Sequence, residues 1–299
     1  MTDSPAILDI PNPAAPGYEL LRLLEPADAD RTVLLGRLLS GTYDKPFIAE
    51  DGDTRALFFS WAYVQSRMRI NEPVALELCY TRKMMCFLLF HRNPRALLML
   101  GLGGGSLAKY CHHYLPQARI AVVESNRDVL AFRNQFAVPR NDSRFRVVEG
   151  EAGEFITACR DQYDVVLMDA FDRHGLAPAL CRREFYEEVR TRLLPEGILV
   201  ANLAGLQDER SGHIDTMKLV FGDNMLVLPV EEDDNDIVFA FRDPTFEPRW
   251  RWIENQVEAM HRRYGLEFPM FARKLKRTRQ TTFSLSPISR RQERLRRVR

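Results

Sequence analysis

Ala96-Leu97-Leu98-Met99-Leu100-Gly101-Leu102-Gly103-Gly104-Gly105-Ser106 is the stretch on which the fold turns. An apolar run without polar interruption reads as a strand buried on both faces, and the glycines that follow break it abruptly. Glycine reaches positive φ without the clash a β-carbon brings, so the run lets the chain turn sharply and approach a ligand closely. After a helical interval the chain resumes as Ile120-Ala121-Val122-Val123-Glu124. Strand, glycine turn, helix and a second strand ending in a carboxylate form one half of a nucleotide site. In this reading Gly101, Gly103, Gly104 and Gly105 are the cradle. Glu124 stands where it accepts hydrogen bonds from both hydroxyls of a ribose.

Apolar runs continue to alternate with helical stretches on the carboxyl side. Strands are expected at 96–100, 119–124, 144–148, 163–168 and 197–202, with helices near 105–114, 126–136, 152–160, 182–194 and 209–221. That alternation predicts an α/β fold, a doubly wound and mostly parallel Rossmann-like sheet. Residues 225–230 and 237–241 flank the polar turn Glu231-Glu232-Asp233-Asp234-Asn235-Asp236, which predicts an antiparallel last strand. A last helix is expected around 249–263. On the amino side, 46–50 and 55–59 flank Asp51-Gly52-Asp53, a hairpin signal, and 63–68 continues extended. Leu76, Tyr80, Met84, Phe87 and Leu88 place a helix over 74–91. The expected organisation is a flexible lead-in over 1–30, a small β module over 31–73 read as strand-like from Arg31, the Rossmann-like domain over 74–270, and a basic tail over 271–299.

The chain has 299 residues, 45% of them hydrophobic, and its apolar runs are too short to span a bilayer. Its beginning shows neither a basic nor an apolar targeting segment, so a cytoplasmic chain without a membrane span is expected. Five cysteines form an odd set without zinc-ligand spacing. Cys111-His112-His113 are neighbours on a helix that point about 100° apart, so no metal is expected. The net charge of +1 conceals an asymmetry: residues 271–299 carry 11 Lys and Arg against Glu293 alone, and residues 1–270 net −9. The tail is a candidate for contact with nucleic acid or another acidic surface, or for folding back on the acidic body.

Ligands of open sheets bind beyond the carboxyl ends of the strands. Gly101 to Gly105, Glu124, Glu151, Asp169 and Asp172 fall there. No Lys or Arg lies within 101–108, and Ser106 stands where a dinucleotide pattern has Gly or Ala. A pyrophosphate favours positive charge; this rim suits a cationic, hydroxyl-rich ligand. An S-adenosyl sulfonium has ribose hydroxyls, an adenine amine and a positive sulfur, and no phosphate. Glu151 also reads as an acid at a helix start, and Asp172 as a turn former ahead of Gly175 and Pro178.

Further motifs accumulate in order: Val64-Gln65, Tyr80 with Met84-Met85, the glycine run, Val123-Glu124, Gly150-Glu151-Ala152, and Tyr163-Asp164-Val165 through Asp169-Ala170-Phe171-Asp172. Arg183-Glu184-Phe185-Tyr186 and Leu194-Pro195-Glu196-Gly197-Ile198-Leu199-Val200 follow. Together they resemble the spermidine synthase family, the polyamine aminopropyltransferases, and most closely its divergent bacterial spermidine-synthase-like members. The resemblance implies a β module ahead of a class I methyltransferase-type domain, a homodimer, and decarboxylated S-adenosylmethionine as aminopropyl donor to a di- or polyamine. Carried over by position, Glu124 holds the ribose, and Glu151, beside Ala152 and in place of the family's usual Asp, holds the adenine amine. Asp169 is the base on the attacking amine, Asp172 helps bind that amine, and Gln65 and Tyr80 line the cleft. The family's glycine run carries an Asp where Gly103 or Gly104 stands here, and Thr81 and Arg82 replace its His and Glu. Methyl transfer from S-adenosylmethionine and a catalytically silent binding role are the alternative readings. The acidic turn 231–236 reads as a solvated hairpin tip rather than a guide for polyamines.

Overall fold

The computed structural model describes residues 6–12, 17–172 and 175–284. Its first layer is an antiparallel sheet whose strands lie side by side in sequence order: β1 (Leu8–Pro11), β2 (Leu20–Leu23), β3 (Phe47–Glu50), β4 (Thr54–Ser60) and β5 (Tyr63–Arg69). The Asp51 carboxylate accepts from the amides of Asp53 and Thr54, at 2.9 and 2.6 Å, and so sets the β3–β4 turn read from the sequence.

Two expectations for this region are corrected. The supposed lead-in supplies β1 and β2, whose Leu8, Ile10, Leu21 and Leu23 pack with Phe47 and Phe58. Four-residue strands beside proline-rich sequence are too short to show a sustained period, although each alternates inward and outward. The strand-like reading from Arg31 also fails, because Arg31–Leu39 is a helix, α1. Asp30 caps it by accepting from the Thr32 and Val33 amides, and Leu34 and Leu38, one turn apart, are its buried face.

Helix α2 (Cys79–Met84) tightens into a 3₁₀ turn at Met85–Leu89, replacing the single long helix expected there. The second layer then follows as β6 (Ala96–Leu100), α3 (Ser106–Tyr114), β7 (Arg119–Glu124), α4 (Arg127–Ala131), β8 (Phe145–Glu149), α5 (Ala152–Ala158) and β9 (Tyr163–Met168). A short antiparallel pair, β10 (Phe171–Asp172) and β11 (Gly175–Leu176), precedes α6 (Arg183–Arg192), β12 (Leu193–Leu203), α7 (Gln207–Phe221), β13 (Met225–Val230) and β14 (Asn235–Phe241). Helices α8 (Trp250–Tyr264) and α9 (Phe268–Ser284) close the described chain.

The large sheet has the order β13-β14-β12-β9-β6-β7-β8, parallel except for the antiparallel pairings of β14 with β12 and β13. This is the expected class I methyltransferase-type α/β fold with an antiparallel finish. Its core lies on both faces, because strand side chains alternate: Leu97 and Met99 of β6 join one cluster, Leu98 and Leu100 the other. At the amino edge Asp164 accepts from the Arg95 and Ala96 amides at 2.6 and 2.8 Å, fixing where β6 begins against β9. Strand order reverses between β6 and β9, so the ligand crevice opens there.

The expected boundary of the tail also moves. Phe268, Phe271 and Leu275 of α9 are buried in the core with α8. Lys274 and Lys276 pair with Glu231 and Glu254 of the acidic body, at 3.5 and 2.5 Å. The remainder of the basic segment, 285–299, lies outside the described residues. Truncating a fully buried leucine side chain removes about 2–5 kcal/mol of stability. Leu275→Ala is therefore expected to lower the unfolding free energy by that order in denaturant titration. A loss below about 0.5 kcal/mol would place α9 outside the folding unit.

Candidate active site

Backbone hydrogen bonds lock the strand ends around the glycine run: the Gly101 amide donates to the Val123 carbonyl at 2.8 Å, and the Asp169 amide to the Leu100 carbonyl at 2.9 Å. Gly101 has φ +95°, and a β-carbon there would stand 2.2 Å from the Asp169 carbonyl oxygen. Only glycine allows β6 and β9 to end this close together. The opposite side of the run is equally tight. A β-carbon on Gly104 would meet Ser66 Oγ at 2.6 Å and the Phe136 ring at 2.9 Å, and one on Gly105 would meet Val138 at 2.6 Å. Ser66 of β5 and Ser106 of α3 face each other with hydroxyls 3.2 Å apart, so the β module is seated on the glycine turn. Gly103, at φ +52°, has open space beside it.

Glu124 ends β7 as read from the sequence and is almost fully buried. Its Oε2 accepts from the Leu102 amide at 2.9 Å and its Oε1 from the Asn126 amide at 2.8 Å. Each oxygen retains acceptor capacity, since a carboxylate offers about four lone-pair sites. Glu151 is exposed at the start of α5, with no capping bond from its side chain, and Ala152 behind it is buried. The Gly150 amide donates to the Glu124 carbonyl at 3.0 Å, which sets the ends of β7 and β8 side by side.

Asp169, one residue beyond β9, is held on both oxygens. Asn202 Nδ2 donates to Oδ1 at 2.9 Å and the Tyr80 hydroxyl to Oδ2 at 3.2 Å. Burial raises the Asp169 carboxyl above the usual carboxylate range, and the bonds from Asn202 and Tyr80 oppose that shift. Burial, with the neighbouring Asp169 charge, holds the Tyr80 phenol well above its ordinary value. The same hydroxyl lies 3.5 Å from the Gln65 backbone carbonyl, which brings the β5 main chain alongside Tyr80 and Asp169. Asp172 sits on β10 opposite Gly175 of β11, three residues on from Asp169.

Asn202 and Asn235 were missed in the sequence. Asn235 Nδ2 donates to Asn202 Oδ1 at 3.0 Å, so a buried amide pair backs the Asp169 carboxylate. The available signal was an amide interrupting the apolar run of β12. The acidic turn is exposed over 231–234, as expected of a hairpin tip, yet it also makes specific contacts. Glu232 pairs with the buried Lys83 ammonium at 2.8 Å, Asp233 accepts from the Tyr80 amide at 3.3 Å, and Asp236 pairs with Arg210 at 2.9 Å. These bonds fasten the turn over α2 and so orient Tyr80. Arg82 pairs with Glu267 at 3.4 Å, just ahead of α9.

With this geometry in hand, likeness to known proteins is informative. Residues 77–211 match the spermine/spermidine synthase domain. The polyamine aminopropyltransferase of Chromobacterium violaceum is 33% identical over 236 residues, covering 79% of this chain and 90% of its own length. The chain belongs to the spermine/spermidine synthase family. Family relatives include aminopropyltransferases, and the same fold extends to methyltransferases. Human methyltransferase-like protein 13, solved in complex with SAH, is 25% identical with a TM-score of 0.58, covering 63% of this chain and 93% of that one. A probable spermidine synthase from Corynebacterium glutamicum shares the fold at 19% identity, with a TM-score of 0.59 over 72% of this chain and 85% of its own.

A hydrogen bond to a carboxylate favours its charged form. Asn202→Ala is therefore expected to raise the Asp169 pKa further, read by carbon-detected NMR titration of the aspartate carboxyls. An unchanged Asp169 titration would show that Asn202 does not hold the carboxylate in solution.

Proposed function

We propose that this protein transfers an aminopropyl group from decarboxylated S-adenosylmethionine to a di- or polyamine, releasing methylthioadenosine. The observation that carries the reading is the partly buried Asp169 carboxylate, held between Tyr80 and Asn202 beside the glycine turn. An alkylammonium has a pKa of about 10 and must lose a proton before it attacks carbon. Asp169 first attracts the cation and then takes the proton. The freed amine attacks the methylene next to the sulfonium, a C–N bond forms as the C–S bond breaks, and the electron pair leaves on a neutral thioether. The raised Asp169 pKa makes it a stronger base than an exposed aspartate.

In this proposal Gly101, Gly103, Gly104 and Gly105 let the backbone approach the donor, Glu124 takes the ribose hydroxyls and Glu151 the adenine amine. Asp172 takes the accepting amine, and Gln65 and Tyr80 line its path. The homodimer and the cytoplasmic setting implied by the family belong to the same proposal. The pairing of Arg82 with Glu267 supports it, because the guanidinium already has an acidic partner away from Asp169. One observation favours methyl transfer instead: no acidic side chain stands within the glycine run 101–106 to meet a donor amine.

The direct test supplies decarboxylated donor with a diamine and follows methylthioadenosine by chromatography, expecting turnover that falls about 10²–10⁴-fold in Asp169→Asn. Release of S-adenosylhomocysteine from S-adenosylmethionine, with no methylthioadenosine from the decarboxylated donor, would replace this reading with methyl transfer. The same variant has a stability signature. A folded-state pKa raised above the unfolded value means that the native state binds the proton more tightly, so stability falls as pH rises through that window. Above it the charged Asp169 is a net cost that Asn removes. Asp169→Asn is thus expected to melt no lower than the parent at pH 8 while losing activity.

A further inference from the structure

A cavity of about 290 Å³ lies behind the glycine turn, lined by Pro73, Val74, Lys109, His112, His113, Ala137, Pro139 and Arg144. We infer that it is a binding site for a phosphate-class anion, a free phosphate or a small phosphate monoester, separate from the sulfonium crevice. Its lining carries Lys109, Arg144 and two histidines, in a body whose first 270 residues net −9. Positive side chains gathered in one concavity of an acidic protein raise the local concentration of anions.

The buried ammonium has donors to spare. Lys109 is 3% exposed and uses one of its N–H groups on the Phe136 carbonyl, at 2.8 Å. Arg144, which also lines the cavity, is held there by Nη2, which donates to the His112 carbonyl at 2.7 Å near the end of α3. His112 turns Nε2 toward Asp142 Oδ2, 3.8 Å away, and burial with the Arg144 charge lowers its pKa, so the positive charge of the lining comes from Lys109 and Arg144. Buried donors left without partners are rare in folded proteins and destabilising. A tetrahedral oxyanion in the cavity would supply acceptors to the remaining Lys109 ammonium donors and a charge partner to the Arg144 guanidinium. Burial lowers the Lys109 pKa to about 7, and Arg55 adds to the shift. A bound anion would offset the cost of burying that charge. The volume sits at the small end for ligand sites, which suits a phosphate with at most a short organic group.

The wall shared with the glycine turn shows where such a ligand would be felt. Ala137 lines the cavity at φ +53°, a conformation non-glycine residues seldom adopt. Its neighbours Phe136 and Val138 are the side chains pressed against Gly104 and Gly105.

Calorimetry on the full chain at constant ionic strength, with inorganic phosphate and with glycerol 3-phosphate as probes, tests the site. Single-site saturable binding is expected, weakened about tenfold or more in Arg144→Gln, as loss of a charge-assisted bond implies. Arg144 is partly exposed whereas Lys109 is buried, so that variant separates anion binding from folding better than Lys109→Met. Asp169→Asn is expected to bind phosphate like the parent. Tighter binding of the ester assigns the pocket to an organic phosphate, and tighter binding of the free ion to phosphate itself. No saturable heat up to about 10 mM of either probe, or equal binding by Arg144→Gln and the parent, would overturn the inference.

Discussion

The close approach of Gly101 to Asp169 is the constraint on which the rest depends. Parallel strands β6 and β9 end side by side where the sheet reverses its order, and a β-carbon on Gly101 would fall 2.2 Å from the Asp169 carbonyl. The glycine therefore does more than permit a turn. It brings the glycine turn and the Asp169 carboxylate onto the same rim. The Glu124 carboxylate adds the third fixed point by accepting from Leu102 within the turn.

Elements outside the large sheet are used to hold this rim. The β module presses Ser66 onto Gly104 and faces Ser106, and its Arg22 and Arg55 reach Gln135 in the loop behind the turn. On the other side, the acidic β13–β14 turn fastens α2 through Lys83 and Tyr80. Tyr80 and Asn202 then fix the two oxygens of Asp169 from opposite elements. A carboxylate partly withdrawn from water yet hydrogen-bonded on both oxygens stays orientated while keeping a raised pKa.

Much of this was legible in the residues. Continuous apolar strands, the glycine run and the acidic strand ends determine the parallel sheet and its rim, since those signals come from burial and backbone freedom that no distant contact changes. The short strands β1 and β2 were hidden because β1 is held by pairing with β2, and β2 by pairing with β3 across more than twenty residues of sequence. Helix α1 was hidden because a two-leucine stripe becomes a helix signal only once the Asp30 cap is recognised. The start of α9 looked like tail because its basic residues outnumber its three buried anchors, Phe268, Phe271 and Leu275. Asn202 and the contacts of the acidic turn were hidden for a common reason: a polar residue's partner lies on another element, and spacing along the chain does not reveal it.

The central claim is that the rim recognises an adenosyl thioether without the amino-acid end of S-adenosylmethionine. Calorimetric comparison of methylthioadenosine with S-adenosylhomocysteine on the intact protein tests it most directly. The account predicts saturable binding of both, tighter for methylthioadenosine, and loss of both in Glu124→Gln. Tighter binding of S-adenosylhomocysteine, or binding of neither, would contradict it.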